Sequence, residues 1–232
     1  MNQYTISVGD LQLDVYAFVY EPVASNMYFI PIGETGIVLD PNINEELLSL
    51  LESRGIKRVQ IILTHEHYDH TTGVAWLQGV IDTSVFCHAD CAKYISSEKG
   101  NTPRLVAMAL KTKDLADGGH RCEDFIAHYK PYVLQADKTF VGVEKFTAEK
   151  ITFDCYSTPG HSPGSACYII NDKYIFSGDS LIQNTPTITR FRTSNNETYE
   201  NVTRPFLRTL DKNMLVFPGH GAPFMIKDAK YL

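Results

Sequence analysis

The sequence predicts a mixed α/β fold in which two β-sheets are covered by outer helices, with polar chemistry gathered at strand ends. Three observations predict it. Short apolar runs rich in Val, Ile, Phe and Tyr come in two batches, one between Leu11 and His88 and one between Lys150 and Phe217. Helical patterns fall between and beside these runs. Several of the runs lead straight into a histidine or aspartate that stands beside glycine.

The first batch opens with Leu11-Gln-Leu-Asp-Val-Tyr-Ala-Phe-Val, which alternates in part, followed by the apolar Asn26-Met-Tyr-Phe-Ile-Pro and the buried run Gly36-Ile-Val-Leu-Asp. Gly33-Glu-Thr-Gly36 is the turn between the last two. Asn44 caps a helix running to about Ser53, with Leu47, Leu48, Leu50 and Leu51 inward and Gly55 ending it. Val59-Gln-Ile-Ile-Leu is a central strand that delivers the chain into His65. Gly73 to Gln78 reads as helix and Ser84 to His88 as strand.

From Ala89 to Tyr132 the pattern is helical, with an apolar face of Leu105, Val106, Met108, Ala109 and Leu110; Gly118-Gly119 breaks it and Cys122 to Tyr129 resumes it. The second batch has strands at Lys150–Tyr156, Ser165–Ile170 and Lys173–Ser177, the last two joined by a tight Asn171-Asp172 turn. A helix over Thr198–Leu210 and a final strand at Met214–Phe217 complete the chain.

At 232 residues and 44% hydrophobic, the chain is long enough for one domain with a large core, and no linker divides it. A net charge of −6 argues against a nucleic-acid partner, which selects for a basic surface. The N-terminus lacks the cationic start and apolar core of a secretory signal, and no run approaches the roughly 20 apolar residues of a membrane span. The five cysteines, odd in number and without a Cys-x-x-Cys pair, fit reduced thiols in the cytoplasm. Cys87 and Cys91 read as buried thiols; His88, His120 and His128 as structural or surface groups.

The chemistry lies in Thr64-His65-Glu66-His67-Tyr68-Asp69-His70. Residues two apart on an extended segment point the same way, so His65 and His67 can converge on one ion. Asp69 continues that face, and His70 turns away if a helix begins there. One loop can thus serve two neighbouring metals. His161, Asp179 and His220 each follow an apolar strand in a glycine-containing turn, where the backbone can approach closely. Five of the eight histidines fall in these places, which core packing does not explain. Imidazole and carboxylate suit zinc, and also iron or manganese.

Thr-His-x-His-x-Asp-His with isolated His, Asp and His in Gly-rich turns resembles the metallo-β-lactamase-fold superfamily. Thr158-Pro-Gly-His-Ser-Pro-Gly164 and Phe217-Pro-Gly-His-Gly221 resemble its glyoxalase II-like branch. The resemblance implies an αββα sandwich of two mixed sheets flanked by helices, as one domain over 1–232, and a binuclear centre of two divalent ions, zinc foremost. By position it places His65, His67 and His161 on the first metal, Asp69, His70 and His220 on the second, and Asp179 between them. Such a centre lowers the pKa of a shared water and hydrolyses an ester, thioester or lactone of a small molecule, with Asp69 orienting the nucleophile and helping to move its proton.

The chain departs from the glyoxalase II pattern at Thr71-Thr72-Gly73, where two glycines normally follow one residue. Only twelve residues follow His220, whereas glyoxalase II proper has a C-terminal helical region for glutathione, so a glutathione thioester is not implied. The helical insertion at about 89–132 is a candidate cover for the site. Thr64 and Ser177 are candidates to hydrogen-bond ligands, Tyr68, Arg190 and Arg192 to meet substrate, and Asp40-Pro41 to organise the turn beneath. The competing readings are a mononuclear iron oxygenase similar to persulfide dioxygenases, using His65, His161 and Asp179, a phosphodiesterase or nuclease, and a non-catalytic metal binder.

Overall fold

In the computed structural model, which describes residues 1–98 and 103–232, two sheets lie face to face. The first has seven strands in sequence order: β1 (Asn2–Val8), β2 (Leu11–Tyr20), β3 (Ser25–Ile32), β4 (Thr35–Leu39), β5 (Arg58–Ile62), β6 (Asp82–His88) and β7 (Lys138–Phe140). Hairpins make β1 to β4 antiparallel, and from β4 to β7 the pairing is parallel. The second sheet has β8 (Val143–Ala148), β9 (Ile151–Ser157), β10 (Ala166–Ile170), β11 (Tyr174–Gly178), β12 (Leu215–Pro218) and β13 (Phe224–Met225), with one parallel pair, β11 and β12. Both sheets are mixed, as expected.

The central strands read as unbroken apolar runs because both of their faces are covered. Along β5, Ile62 points into the core between the sheets, with Leu39, Phe86, Phe153, Tyr168 and Phe217. Ile61 and Leu63 point outward to Leu47 and Leu51 of α1 (Glu45–Ser53), to Leu77 of α3 (Val74–Gln78), and to Cys91 of α4 (Ala89–Ile95). The short α2 (Tyr68–Thr71) lies between β5 and α3. Behind the second sheet, Ile169, Ile175 and Val216 pack on Leu207. That residue belongs to α8 (Arg204–Thr209), which a π-helical turn, Tyr199–Thr203, joins to α7 (Asn196–Thr198). Layering is therefore helix, sheet, sheet, helix.

Asn44 caps α1 through its side chain, which accepts from the Glu46 and Leu47 amides. Asn171 and Asp172 both take positive φ, as a tight hairpin turn between β10 and β11 demands. The 89–132 segment contains α4, α5 (Arg104–Asp117) and α6 (Arg121–His128); its residues 99–102 lie outside the described residues. Of the face expected on α5, Val106 and Leu110 are buried but Met108 is exposed. Met214–Phe217 is not the final strand, since β13 follows it. Among the described residues no helix is long and apolar enough to cross a membrane.

One edge of the sandwich is clasped by hydrogen bonds between the sheets. Tyr168 donates to the Leu63 carbonyl at 2.7 Å, the Ala166 amide to Thr64 at 2.8 Å and the Asn26 amide to Gly219 at 2.7 Å. All seven candidate ligands leave strands or loops at this edge.

Candidate metal centre

His65 and His67 leave β5 on an extended segment, and α2 starts at Tyr68, so Asp69 and His70 sit on its first turn. His161 comes from the loop after β9, Asp179 directly follows β11, and His220 lies two residues past β12. The structure brings all seven together. His67 Nδ1 stands 3.0 Å from His65 Nε2 and 2.9 Å from His161 Nε2, so three ring nitrogens face one point. Beside them, Asp69 Oδ2 lies 3.4 Å from both His70 Nε2 and His220 Nε2. Asp179 touches both sets: one oxygen is 3.4 Å from His161 and 3.5 Å from His220, the other 3.6 Å from His70. His65, His67 and His161 form one cluster able to hold an ion, and Asp69, His70 and His220 form another.

Four of the five imidazoles are oriented through their other nitrogen. His65 Nδ1 meets Thr64 Oγ1 at 3.0 Å, His70 Nδ1 meets Asp40 at 2.9 Å, His161 Nδ1 meets the Ile188 carbonyl at 2.9 Å, and His220 Nδ1 meets the Ala24 carbonyl at 3.2 Å. Each partner fixes the ring and directs the Nε2 lone pair inward, as in metal sites whose histidines donate their second N–H outward. Two atoms in the centre, His70 Nε2 and Asp179 Oδ1, are buried without a hydrogen-bond partner. Unsatisfied buried groups of this kind are costly, and a cation is what a lone pair and a carboxylate oxygen both accept. The donor set fits a metal.

Two glycines make the approach feasible. A Cβ on Gly219 would collide with Asp179 Oδ1, and one on Gly178, which has φ +49°, would collide with Thr64 Oγ1.

The two clusters differ in charge. Burial first, and neighbouring imidazoles second, push His65 well below its ordinary range and His67 down to about 3. Burial also lowers His161. In the other cluster burial is outweighed. It opposes ionisation of Asp69 and Asp179, yet the adjacent histidines, His70 and His220 foremost, hold both carboxyls well below the usual range. Burial likewise opposes the imidazolium form of His70 and His220, yet Asp69 and Asp179 keep His70 well above its ordinary value and raise His220 to about 10.

Asp40 does more than shape a turn. It is buried at φ +51°, accepts from the Thr64 amide at 2.7 Å and hydroxyl at 2.6 Å, and holds His70. A non-glycine residue at positive φ costs energy that the surroundings must offset. That conformation is the signal absent from the sequence. Thr64 does support a ligand, whereas the Ser177 hydroxyl donates to the backbone carbonyls of Gly178 and Leu181. Tyr68 packs against Phe125, Tyr129 and Tyr132. Arg190 and Arg192 are exposed; between them Phe191, which sequence reasoning missed, sets its ring 5.6 Å from both His67 and His161. Glu66, also missed, is buried beneath the loop, accepts from Ser162 at 2.9 Å and is pushed up to about 7 by burial. Cys87 and Cys91 are buried and unbridged, and His88 caps α4.

The family profile described as metallo-beta-lactamase superfamily matches residues 20–220, most of the chain. The chain belongs to that superfamily. It is 29% identical over 223 residues to a probable metallo-hydrolase of Streptococcus pyogenes serotype M6, covering 95% of this chain and 89% of that one. A hydroxyacylglutathione hydrolase of Pseudoalteromonas translucida is 28% identical over 144 residues, 62% of this chain and 40% of its own. Among solved structures, the B3 metallo-beta-lactamase BLEG-1 superposes with a TM-score of 0.69 at 23% identity, over 92% of this chain and 95% of that one, which shows the shared fold.

Proposed function

We propose that this superfamily member is a binuclear metal-dependent hydrolase acting on an ester, thioester or lactone bond of a small molecule. His65, His67 and His161 hold one divalent ion and Asp69, His70 and His220 a second, with Asp179 shared. One observation carries the reading most directly: buried His70 Nε2 and Asp179 Oδ1 lie 3.6 Å apart without a hydrogen-bond partner among the described residues, at the junction of the two clusters. Zinc is the ion the imidazole-rich donor set suits best, with iron and manganese as its competitors.

When bound, the two ions supply a hydroxide nucleophile near neutral pH and offset negative charge on the reacting oxygen. The chain's own residues do the remainder. Asp69, on the first turn of α2 and half-buried, orients the nucleophile and accepts or returns its proton. Asp40, Thr64, Ile188 and Ala24 keep the imidazoles in register, and the Phe191 ring shields the three-imidazole side from bulk water.

The test is metal analysis of protein purified without added metal, followed by chelation and reconstitution with zinc, manganese or iron against a panel of esters, thioesters and lactones. Two ions per chain with metal-restored hydrolysis support the reading. One iron per chain with oxygen consumption on a persulfide, and no hydrolysis, overturns it.

A further inference from the structure

The residue between the first two ligands is a glutamate, and nothing in the Thr-His-x-His pattern calls for a carboxylate there. His65 and His67 point one way along the extended segment, so Glu66 points the other, into the protein and away from where the imidazoles converge. It is 3% exposed, and a carboxylate withdrawn from water is costly unless hydrogen bonds replace the solvent. Those bonds come from the loop of the second sheet. Ser162, the residue after His161, donates its hydroxyl to Glu66 Oε2 at 2.9 Å, and the Gly164 amide faces Oε1 at 3.5 Å. A Cβ at residue 164 would collide with Glu66 Oε2 and with the amide nitrogen of Cys91 in α4, so glycine is what admits this approach.

The far end of the bond is itself braced. The Ser162 proton goes to Glu66, so Ser165, 2.8 Å away, donates to the Ser162 oxygen, while its own oxygen accepts from the Ser162 amide at 3.1 Å. A chain of hydroxyls ending on a carboxylate is stronger than its separate bonds, because each bond polarises the next. Glu66 thus ties the residue between two ligands of the first sheet to the residue beside the third ligand, across 96 positions of chain. From its other side His161 is steered by the Ile188 carbonyl on its ring and by Ser194, whose hydroxyl donates to the His161 carbonyl at 2.6 Å.

We propose that Glu66 is a positioning residue for the three-imidazole half of the centre: through Ser162 it sets how closely His161 stands to His65 and His67, and so how tightly that half holds its ion. The proposal rests on the reading that these imidazoles bind a metal, and adds the side chain that arranges them. Three converging lone pairs repel one another. A bond made on the far side of the loop favours their convergence before an ion arrives, which lowers the cost of binding it.

The test titrates cobalt(II) against a competing chelator in the full chain carrying His220→Ala, which leaves the three-imidazole set as the complete one. Adding Glu66→Ala should weaken cobalt binding by about tenfold or more, the scale for removing a partner behind a metal ligand. Glu66→Gln should bind close to the parent, because its amide oxygen can take the same bond from Ser162. Ser162→Ala should weaken binding as Glu66→Ala does, and the double variant no further, as for two groups acting through one contact. Ser162→Ala carries the expectation alone if Glu66→Ala does not fold. In a His161→Ala background, where Asp69, His70 and His220 remain, Glu66→Ala should leave cobalt binding unchanged. Undiminished binding on adding Glu66→Ala to His220→Ala, equal loss in both backgrounds, or equal loss in the glutamine variant overturns the role of Glu66 and leaves the metal centre standing. If the His220→Ala parent takes up no cobalt, the three-imidazole site itself fails, and the proposal with it.

Discussion

The two halves of the centre share one shallow edge of the sandwich, yet they are prepared for a cation in opposite ways. His65, His67 and His161 are kept neutral by burial and present three lone pairs within 3.0 Å of their neighbours. Asp69, His70, Asp179 and His220 hold one another as ion pairs, with His220 protonated up to about 10. The first half is an open set of donors. The second is already neutralised by protons, which an arriving ion must displace.

The strongest way to break this comparison is Asp69→Ala. Hydrolysis should fall by about a thousandfold or more, on the order of 4 kcal/mol of transition-state stabilisation, while the three-imidazole half keeps its ion by mass spectrometry. Unchanged turnover would reject the role given to Asp69. Asp40→Asn comes next: affinity for the second ion should weaken by about 10- to 100-fold, as for other outer partners of ligands. Equal weakening at both halves would show that Asp40 acts mainly through Thr64 and His65.

The protons offer a subtler test. Near pH 7.5, binding at the second half should release protons and binding at the first should release almost none, seen as a buffer-dependent calorimetric enthalpy for one event only. If both enthalpies ignore the buffer, the contrast is lost.

The smallest expected effect is on the stability of the metal-free protein. His67, lowered to about 3 from 6.5, is neutral in both folded and unfolded chains above about 6.5; as pH falls across this window it destabilises the folded state, because the unfolded chain binds protons that the buried ring refuses. The depressed carboxyls of Asp69 and Asp179 act in the same direction on acidification. His220 has the opposite sign: its contribution is fully present below about 6.5 and fades as pH rises through about 10. Melting temperature of the chelated protein should therefore fall on both sides of neutrality. A steady rise from pH 7 to pH 10 would contradict the pairing of His220.

Much of this was legible in the sequence, and the omissions share a cause. The strands that were not anticipated, β1, β7, β8 and β13, are the four sheet edges. Edge strands pack on one neighbour and carry polar residues that discourage further pairing, so Val143-Glu-Lys-Phe-Thr-Ala buries only Phe146 and Ala148 and leaves little apolar periodicity. Six of the seven site residues were readable because they follow central strands β5, β11 and β12, which write short apolar runs; His161 follows the alternating β9 and was readable from its Gly- and Pro-rich turn. Asp40 was readable only as a turn former beneath the site; its hold on His70 and the place of Phe191 were not, since one depends on an unusual backbone conformation and the other on a loop folding back over His67 and His161.

The origin of the donors has a consequence for the life of the chain. His65 to His70 leave the first sheet, while His161, Asp179 and His220 belong to the second; His67 and His161 are 94 positions apart. An ion held across that gap is a crosslink between the layers, and it stabilises only the assembled sandwich. On the proposed two-ion reading, metal supply would act as a checkpoint on the whole molecule. The metal-free chain would open more often along the clasped edge and be cut faster by a protease than the metal-loaded one.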